Sequence, residues 1–291
     1  MSFQKRLSAG EFVVLGEMNT PKGVDISEFM TNARRIKGRV DAIVVPDMDN
    51  GVMRMSALAG GALLQQQGIE TMIHVYCRDR NRMALQGDIL AAHVLGIHNL
   101  VVVRGEQIAN ADHHDAGTVN DLDELGLLRA IQRLHGGVDM AGLELSGTPG
   151  FTVGYVMEPY ADEKAMAAEF ELAGKAVEAG ANFVITPPVY DPGRFTSVLD
   201  QTKGLGVPII AKVYLIKSVG IARYIAQTEA GAHISEEMIR RIRKAPDRDT
   251  ECLRIAGEIA AGLKSLAQGV HFVTTGWEHR LNAILDFAGL G

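Results

Sequence analysis

The chain reads as an α/β protein folded as one (β/α)8 barrel, and three observations carry that reading. Short β-branched or apolar runs recur about eight times along its 291 residues. Nearly every run is followed by a stretch with helical apolar periodicity. No break in composition marks a domain boundary, so residues 1–291 are expected to form a single barrel domain. A doubly wound sheet is the alternative arrangement of the same units. With 47% hydrophobic residues, the chain has enough apolar surface to bury a core of that size.

The elements follow in order. The first strand-like run, residues 12–18, stays apolar up to Glu17, and helical patterning follows over 26–36. Run 42–45 leads to a helix over 53–67, and run 71–76 to one over 82–95. After run 100–103 comes a polar stretch, 107–120, containing Asp112-His-His-Asp115. It has no apolar period and is expected to be a surface loop or a lid before the helix over 123–135. Run 151–157 pairs with a helix over 163–179, 183–185 with 192–205, and 208–215 with 219–227 and 236–243. The last run, 270–274, lies between helical segments 252–268 and 278–287. Asp25, Ser27, Asp162 and Ser235 stand where helix N-caps belong, and Gly68, Gly96 and Gly180 where helices should stop.

Composition narrows the function. A net charge of −6 gives no general attraction for nucleic acid or an anionic membrane, so neither is expected as a partner. Cys77 and Cys252 are far apart and outside any CxxC spacing, which points to packed thiols in a reducing compartment. The first residues lack an apolar leader core, and no stretch reaches the roughly 18–20 apolar residues of a membrane span. A cytoplasmic protein is expected.

In such a barrel, function gathers at the carboxyl ends of the strands. Glu17 is the strongest single candidate there, because a carboxyl group at the end of an apolar strand loses hydration, which favours the protonated form that a general acid needs. A structural ion pair is the competing reading. His74, within its strand, reads as a core histidine. Arg78, Arg80 and Arg82 suit either a clamp for an anionic ligand or an ion-pair network with Asp79 and Asp88. In Arg104-Gly-Glu106 the glycine permits either a turn or close approach of a ligand. Tyr155 and Tyr160 end the fifth strand. His113 and His114 have no metal-ligand spacing, so no metal is expected. Pro187-Pro188 at a strand end removes two backbone donors.

The chain resembles the methylenetetrahydrofolate reductase family nearly end to end. The motifs that carry the likeness are Glu17-Met-Asn-Thr-Pro-Lys-Gly23, Arg54-Met-Ser-Ala-Leu-Ala59 and Cys77-Arg-Asp-Arg-Asn-Arg-Met-Ala-Leu-Gln86. Others are Leu95-Gly-Ile-His-Asn99 with Arg104-Gly-Glu106, Val119-Asn-Asp-Leu-Asp123, Glu178-Ala-Gly-Ala-Asn182 and Trp277-Glu-His279. The second and third look most like the branch found in acetogens and in fused methyltransferase–reductase proteins. The resemblance implies a barrel carrying FAD or FMN, which takes hydride from NADH or NADPH and delivers it to 5,10-methylenetetrahydrofolate. Glu17 then matches the family's general acid, which helps open the folate's five-membered ring. His74, Arg104, Gly105, Glu106, Tyr155 and Lys175 fall at flavin-side positions. Glu17, Asn19, Glu106 and Pro187 fall at folate-side positions.

The departures from the family pattern are specific. Glu106 stands where an aspartate is usual, and Pro187 where a glutamine hydrogen-bonds the pterin. Pro46 replaces a hydroxyl residue near the flavin, and residues 211–215 lack a Gly-x-x-Pro pattern. Three readings are therefore carried forward. The first is a flavin-dependent folate reductase, fed by a nicotinamide or a redox partner subunit and forming a homo- or hetero-oligomer. The second is a flavin-free pterin-binding or complex-assembly subunit. The third is a flavoenzyme with a related one-carbon substrate.

Overall fold

In the computed structural model, eight parallel strands close into a barrel in sequence order, with helices between them. Residues 1–105, 111–159, 162–229 and 231–290 are described. The order is α1 (Phe3–Ser8), β1 (Val13–Glu17), α2 (Ser27–Ile36), β2 (Ala42–Val45), α3 (Ala57–Gln66), β3 (Thr71–Tyr76), α4 (Arg82–Val94) and β4 (Asn99–Val103). There follow α5 (Glu124–His135), β5 (Thr152–Val156), α6 (Glu163–Glu178), β6 (Phe183–Pro188), α7 (Pro192–Thr202) and β7 (Ile209–Tyr214). The chain ends with α8 (Val219–Thr228), α9 (Glu236–Lys244), α10 (Arg248–Leu263), β8 (Gly269–Val273) and α11 (Leu281–Ala288). Pairing of β8 with β1, Leu15 opposite His271, closes the ring.

Alternation along each strand divides the core in two. Val13, Leu15, Val44, Met72, Val101, Ile185 and Ile210 fill the barrel interior. Their neighbours, among them Val14, Ile43, Ile73, Val102, Val184 and Val270, pack outward against the helices. The short helix α1 has no counterpart in the sequence reading, because six residues give no periodic signal. Its Phe3 and Leu7 are buried in the interior cluster. Phe3 meets Phe183 edge-on with centroids 5.5 Å apart, so α1 plugs the amino-terminal end of the barrel.

Helix ends follow side-chain chemistry. Asp162 and Ser235 accept hydrogen bonds from the Ala165 and Met238 amides, as N-caps do. The first helix after β1 corrects the reading: Ile26 is its N-cap, Ser27 is already helical, and Asp25 accepts from the Ser27 amide just outside. Gly68, Gly96 and Gly180 all have positive φ just past a helix end. The helix expected over 192–205 is shorter, α7 giving way to a 3-10 turn over Lys203–Leu205.

Two prolines reshape the sixth strand. Ile185 lies opposite Ile210, but the next pair is Pro188 with Lys212, so β6 holds one residue more than β7 across that step. Neither proline has an N–H to give the ladder. The Thr186 hydroxyl meets the Lys212 amide at 3.4 Å instead.

Candidate active site

The carboxyl ends of the strands form a mouth with a charged rim and a sparse polar floor. The rim comes from the loops. Buried Arg78 donates to Asp79 from Nε at 2.7 Å and from Nη2 at 2.9 Å, and its guanidinium lies 5.3 Å from the Tyr76 ring centre. Arg80 pairs with buried Asp47 at 2.6 Å and with Asp88 at 3.0 Å. Asp47 also accepts from the Ala57 amide at 2.9 Å, tying the β2 end to the start of α3. Arg82 is held by Asp121, whose carboxyl it lowers to about 2 through hydrogen bonding. The ion-pair reading of these arginines therefore fits the geometry, with Asp47 and Asp121 as partners that spacing alone did not reveal. Arg104 pairs with Glu124 at 2.5 Å and reaches Glu169 at 3.5 Å and the Tyr155 hydroxyl at 3.4 Å. Burial and the adjacent Glu169 raise the Tyr155 phenol far above its usual range.

The floor lies inside the barrel. Glu17, His74, Lys212 and His271 occupy the inward alternation positions of β1, β3, β7 and β8. Glu17 is 7% exposed, and its Oε2 lies 3.3 Å from His271 Nε2. Burial, reinforced by Lys212, lowers His271 to about 3. His74 is likewise pushed well below its ordinary value, by burial first and then by His271 and Lys212. Both imidazoles are therefore neutral at ordinary pH. His74 Nδ1 lies 3.4 Å from the Tyr76 hydroxyl. Its Nε2 has no hydrogen-bond partner among the described residues, and neither do Asn19 Oδ1, Thr274 Oγ1 and Arg54 Nε. Buried polar atoms are rarely left so, and this cluster marks where a ligand would meet them.

Gly105 has φ +87°, and a Cβ there would come 2.7 Å from the Tyr76 ring, so the backbone itself forms this part of the wall. Beyond Pro187 and Pro188, a cavity of about 480 Å³ is lined by Tyr190, Arg194, Glu229 and His233 among others.

The structure brings together Glu17, Asn19, His74, Arg104, Gly105 and Tyr155 around the mouth, with Pro187 beside it. Lys175 lies apart from them. It lies in the last turn of α6, which runs away from the mouth, and pairs with Glu171 at 2.6 Å. Twelve residues of helix separate it from the mouth end, roughly 18 Å at 1.5 Å per residue. Glu106 and Tyr160 lie outside the described residues, as does the start of the polar loop. The described part of that loop docks on the rim, with Asp112 paired to Lys22 and accepting from the Met53 amide at 3.2 Å. His113 and His114 are exposed beside single aspartates. No group of three metal-ligating side chains occurs among the described residues. Cys77 and Cys252 are both buried, which pushes their thiols up to about 12 and about 11. No helix of the described residues is long and apolar enough to cross a membrane.

Lys212 and His271 escaped the sequence reading. The signal was present in Ile-Ile-Ala-Lys-Val-Tyr and Gly-Val-His-Phe-Val, where one polar residue interrupts an apolar strand at an inward position.

A closed parallel barrel with its polar groups inside the carboxyl ends of the strands defines a (β/α)8 protein with a mouth site. The model of the methylenetetrahydrofolate reductase family matches residues 2–289, and the chain belongs to that family. It is similar to methylenetetrahydrofolate reductase 2 of Schizosaccharomyces pombe, 23% identical over 244 residues, covering 78% of this chain and 37% of that protein. It also resembles a probable methylenetetrahydrofolate reductase (NADPH) of Caenorhabditis elegans, 22% identical over 188 residues, covering 63% of this chain and 26% of that protein. The chain thus spans well under half the length of these relatives. Among solved structures, an EDTA monooxygenase from Chelativorans sp. BNC1 aligns over 97% of this chain and 95% of that one, with a TM-score of 0.56 at 10% identity. That likeness concerns the fold alone.

Proposed function

We propose that this chain is a flavin-dependent reductase of 5,10-methylenetetrahydrofolate or a closely related one-carbon pterin. Its electrons would come from NADH, NADPH or a redox partner subunit. The observation that carries the reading is Glu17, buried at the end of β1 and 3.3 Å from a neutral imidazole. Burial favours the uncharged carboxyl, and the neutral His271 is a close neighbour rather than an ion-pair partner. Such a carboxyl can hold a proton on Oε until a substrate nitrogen takes it, which is the task of a general acid.

The mouth suits a flat ring system rich in hydrogen-bonding atoms. The unpartnered atoms of His74, Asn19 and Thr274 and the side-chain-free wall at Gly105 support that fit. His74, Arg104, Gly105 and Tyr155 would hold a flavin, FAD or FMN, whose chemistry when bound is the acceptance and release of hydride. Arg104 is already fixed by Glu124 and Glu169, so its position costs little to organise on binding. The apolar interior below the floor keeps water from the Glu17 proton.

The test is a titration of the protein with FAD and then FMN, followed by absorbance and thermal unfolding. Anaerobic addition of NADH or NADPH should bleach the bound flavin, and methylenetetrahydrofolate should restore its colour. A protein that takes up neither flavin overturns the reading in favour of a pterin-binding or assembly subunit.

A further inference from the structure

Among the described residues, the floor contains one cation, Lys212, and no ion pair there accounts for its position. It sits in the middle of β7, where Ile209, Ala211 and Val213 pack outward and Ile210 packs into the barrel, so its side chain starts inward. Across the ladder it lies opposite His271 on one side and Pro188 on the other. Its charge acts on His74 and His271 inside the barrel and on Glu229 at the cavity wall, which puts the ammonium between the floor and the cavity. Among the described residues, the ammonium makes no ion pair and no hydrogen bond; only the Lys212 backbone is engaged, through Thr186 and Val189. Lysine carries three donors, and none of these is taken by a described side chain or backbone carbonyl.

Next to it, the end of β6 offers a ligand no backbone donor. Pro187 and Pro188 have no N–H, and the Thr186 hydroxyl is turned onto the Pro187 carbonyl at 2.9 Å. The imidazoles of His271, on the neighbouring strand, and of His74 are neutral. An occupant lying across the floor from Glu17 would find on the β6–β7 side one charged donor among the described floor residues, Lys212.

We propose that Lys212 anchors the substrate, its Nζ donating a hydrogen bond to a carbonyl oxygen of the bound pterin from the β6–β7 side while Glu17 addresses it from β1. This rests on the pterin substrate proposed above. The lysine takes over an anchoring task that the two prolines cannot perform, and it fixes the ring with one edge toward the cavity and the reacting edge toward Glu17.

Lys212→Met tests this by removing the donor while keeping the apolar stem. The KM for methylenetetrahydrofolate, and the Kd for 5-methyltetrahydrofolate by calorimetry, should rise about 10- to 100-fold, the range for losing a charged hydrogen bond. Flavin affinity should stay as in the parent. The ligand-free variant should melt at the temperature of the parent, since no protein partner of the ammonium is lost, whereas loss of a structural lysine would lower it. Lys212→Gln carries the same measurements should the methionine variant fail to fold. Unchanged folate affinity, or a fall that tracks loss of stability and of flavin, overturns the anchor. A parent protein that binds flavin but no methyltetrahydrofolate overturns the pterin reading and the anchor together. A parent that binds it as tightly as the variant does overturns the anchor alone.

Discussion

The rim and the floor of the barrel mouth differ in how their polar groups are met. Arg78, Arg80, Arg82 and Arg104 on the rim each have a carboxylate within reach, so the charge there is spent on holding loops in place. On the floor, beside Glu17 and Lys212, the buried imidazoles of His74 and His271 keep ring nitrogens with no hydrogen-bond partner among the described residues. Density of charge therefore marks scaffold, and scarcity of charge inside apolar strands marks the place prepared for a ligand.

The sharpest way to break this contrast is at Glu17. Glu17→Gln should keep flavin and its reduction by the donor but lose pterin reduction by on the order of 10²–10⁴-fold, the usual weight of a positioned acid. Stopped-flow reoxidation by methylenetetrahydrofolate measures it, and unimpaired reoxidation would make Glu17 scaffold like the rim. The next largest effect belongs to the rim itself. Asp47→Ala strips the acceptor from Arg80 and from the Ala57 amide, and should cost on the order of 2–4 kcal/mol in denaturant titration. A loss below 1 kcal/mol would show that the rim is not the scaffold described.

Acid provides a third test. The unfolded chain protonates its histidines near 6.5, while the folded barrel refuses that proton at His271 until the pH nears about 3. The unfolded state then binds more protons, so stability should fall as pH drops from about 6.5 toward 3, with His74 contributing in the same direction. Replacing His271 with leucine should flatten the melting-temperature profile in that window; an unchanged slope would assign acid lability elsewhere. The smallest effect is expected at Lys175. Lys175→Ala removes only an exposed pair with Glu171 at the far end of α6 and should leave flavin affinity within experimental error. A clear weakening would mean that the cofactor reaches much further down the barrel wall than the mouth.

Much of this was legible in the sequence. The eight runs and their helices emerged because apolar period and caps such as Asp162 and Ser235 are local signals. Glu17 emerged because a single acid at a strand end is conspicuous. Lys212 and His271 did not, since strand alternation tells inward from outward only once the barrel closes and fixes which neighbours face them. The distance of Lys175 from the mouth was hidden for a related reason: its place along α6 is set by geometry and not by a nearby match of residue type. The extra residue in β6 was hidden as well, because two adjacent prolines announce lost donors but not where the register resumes.

The plug formed by α1 has a consequence for how the molecule is made. Phe3 and Leu7 precede by well over a hundred residues the Phe183 and Ile210 side chains that complete their seat. Helix α1 must therefore wait, unsheltered, until those later strands have been made, and docking it becomes a late act of assembly. Chaperone contact with a nascent chain carrying α1 would be expected to include that helix.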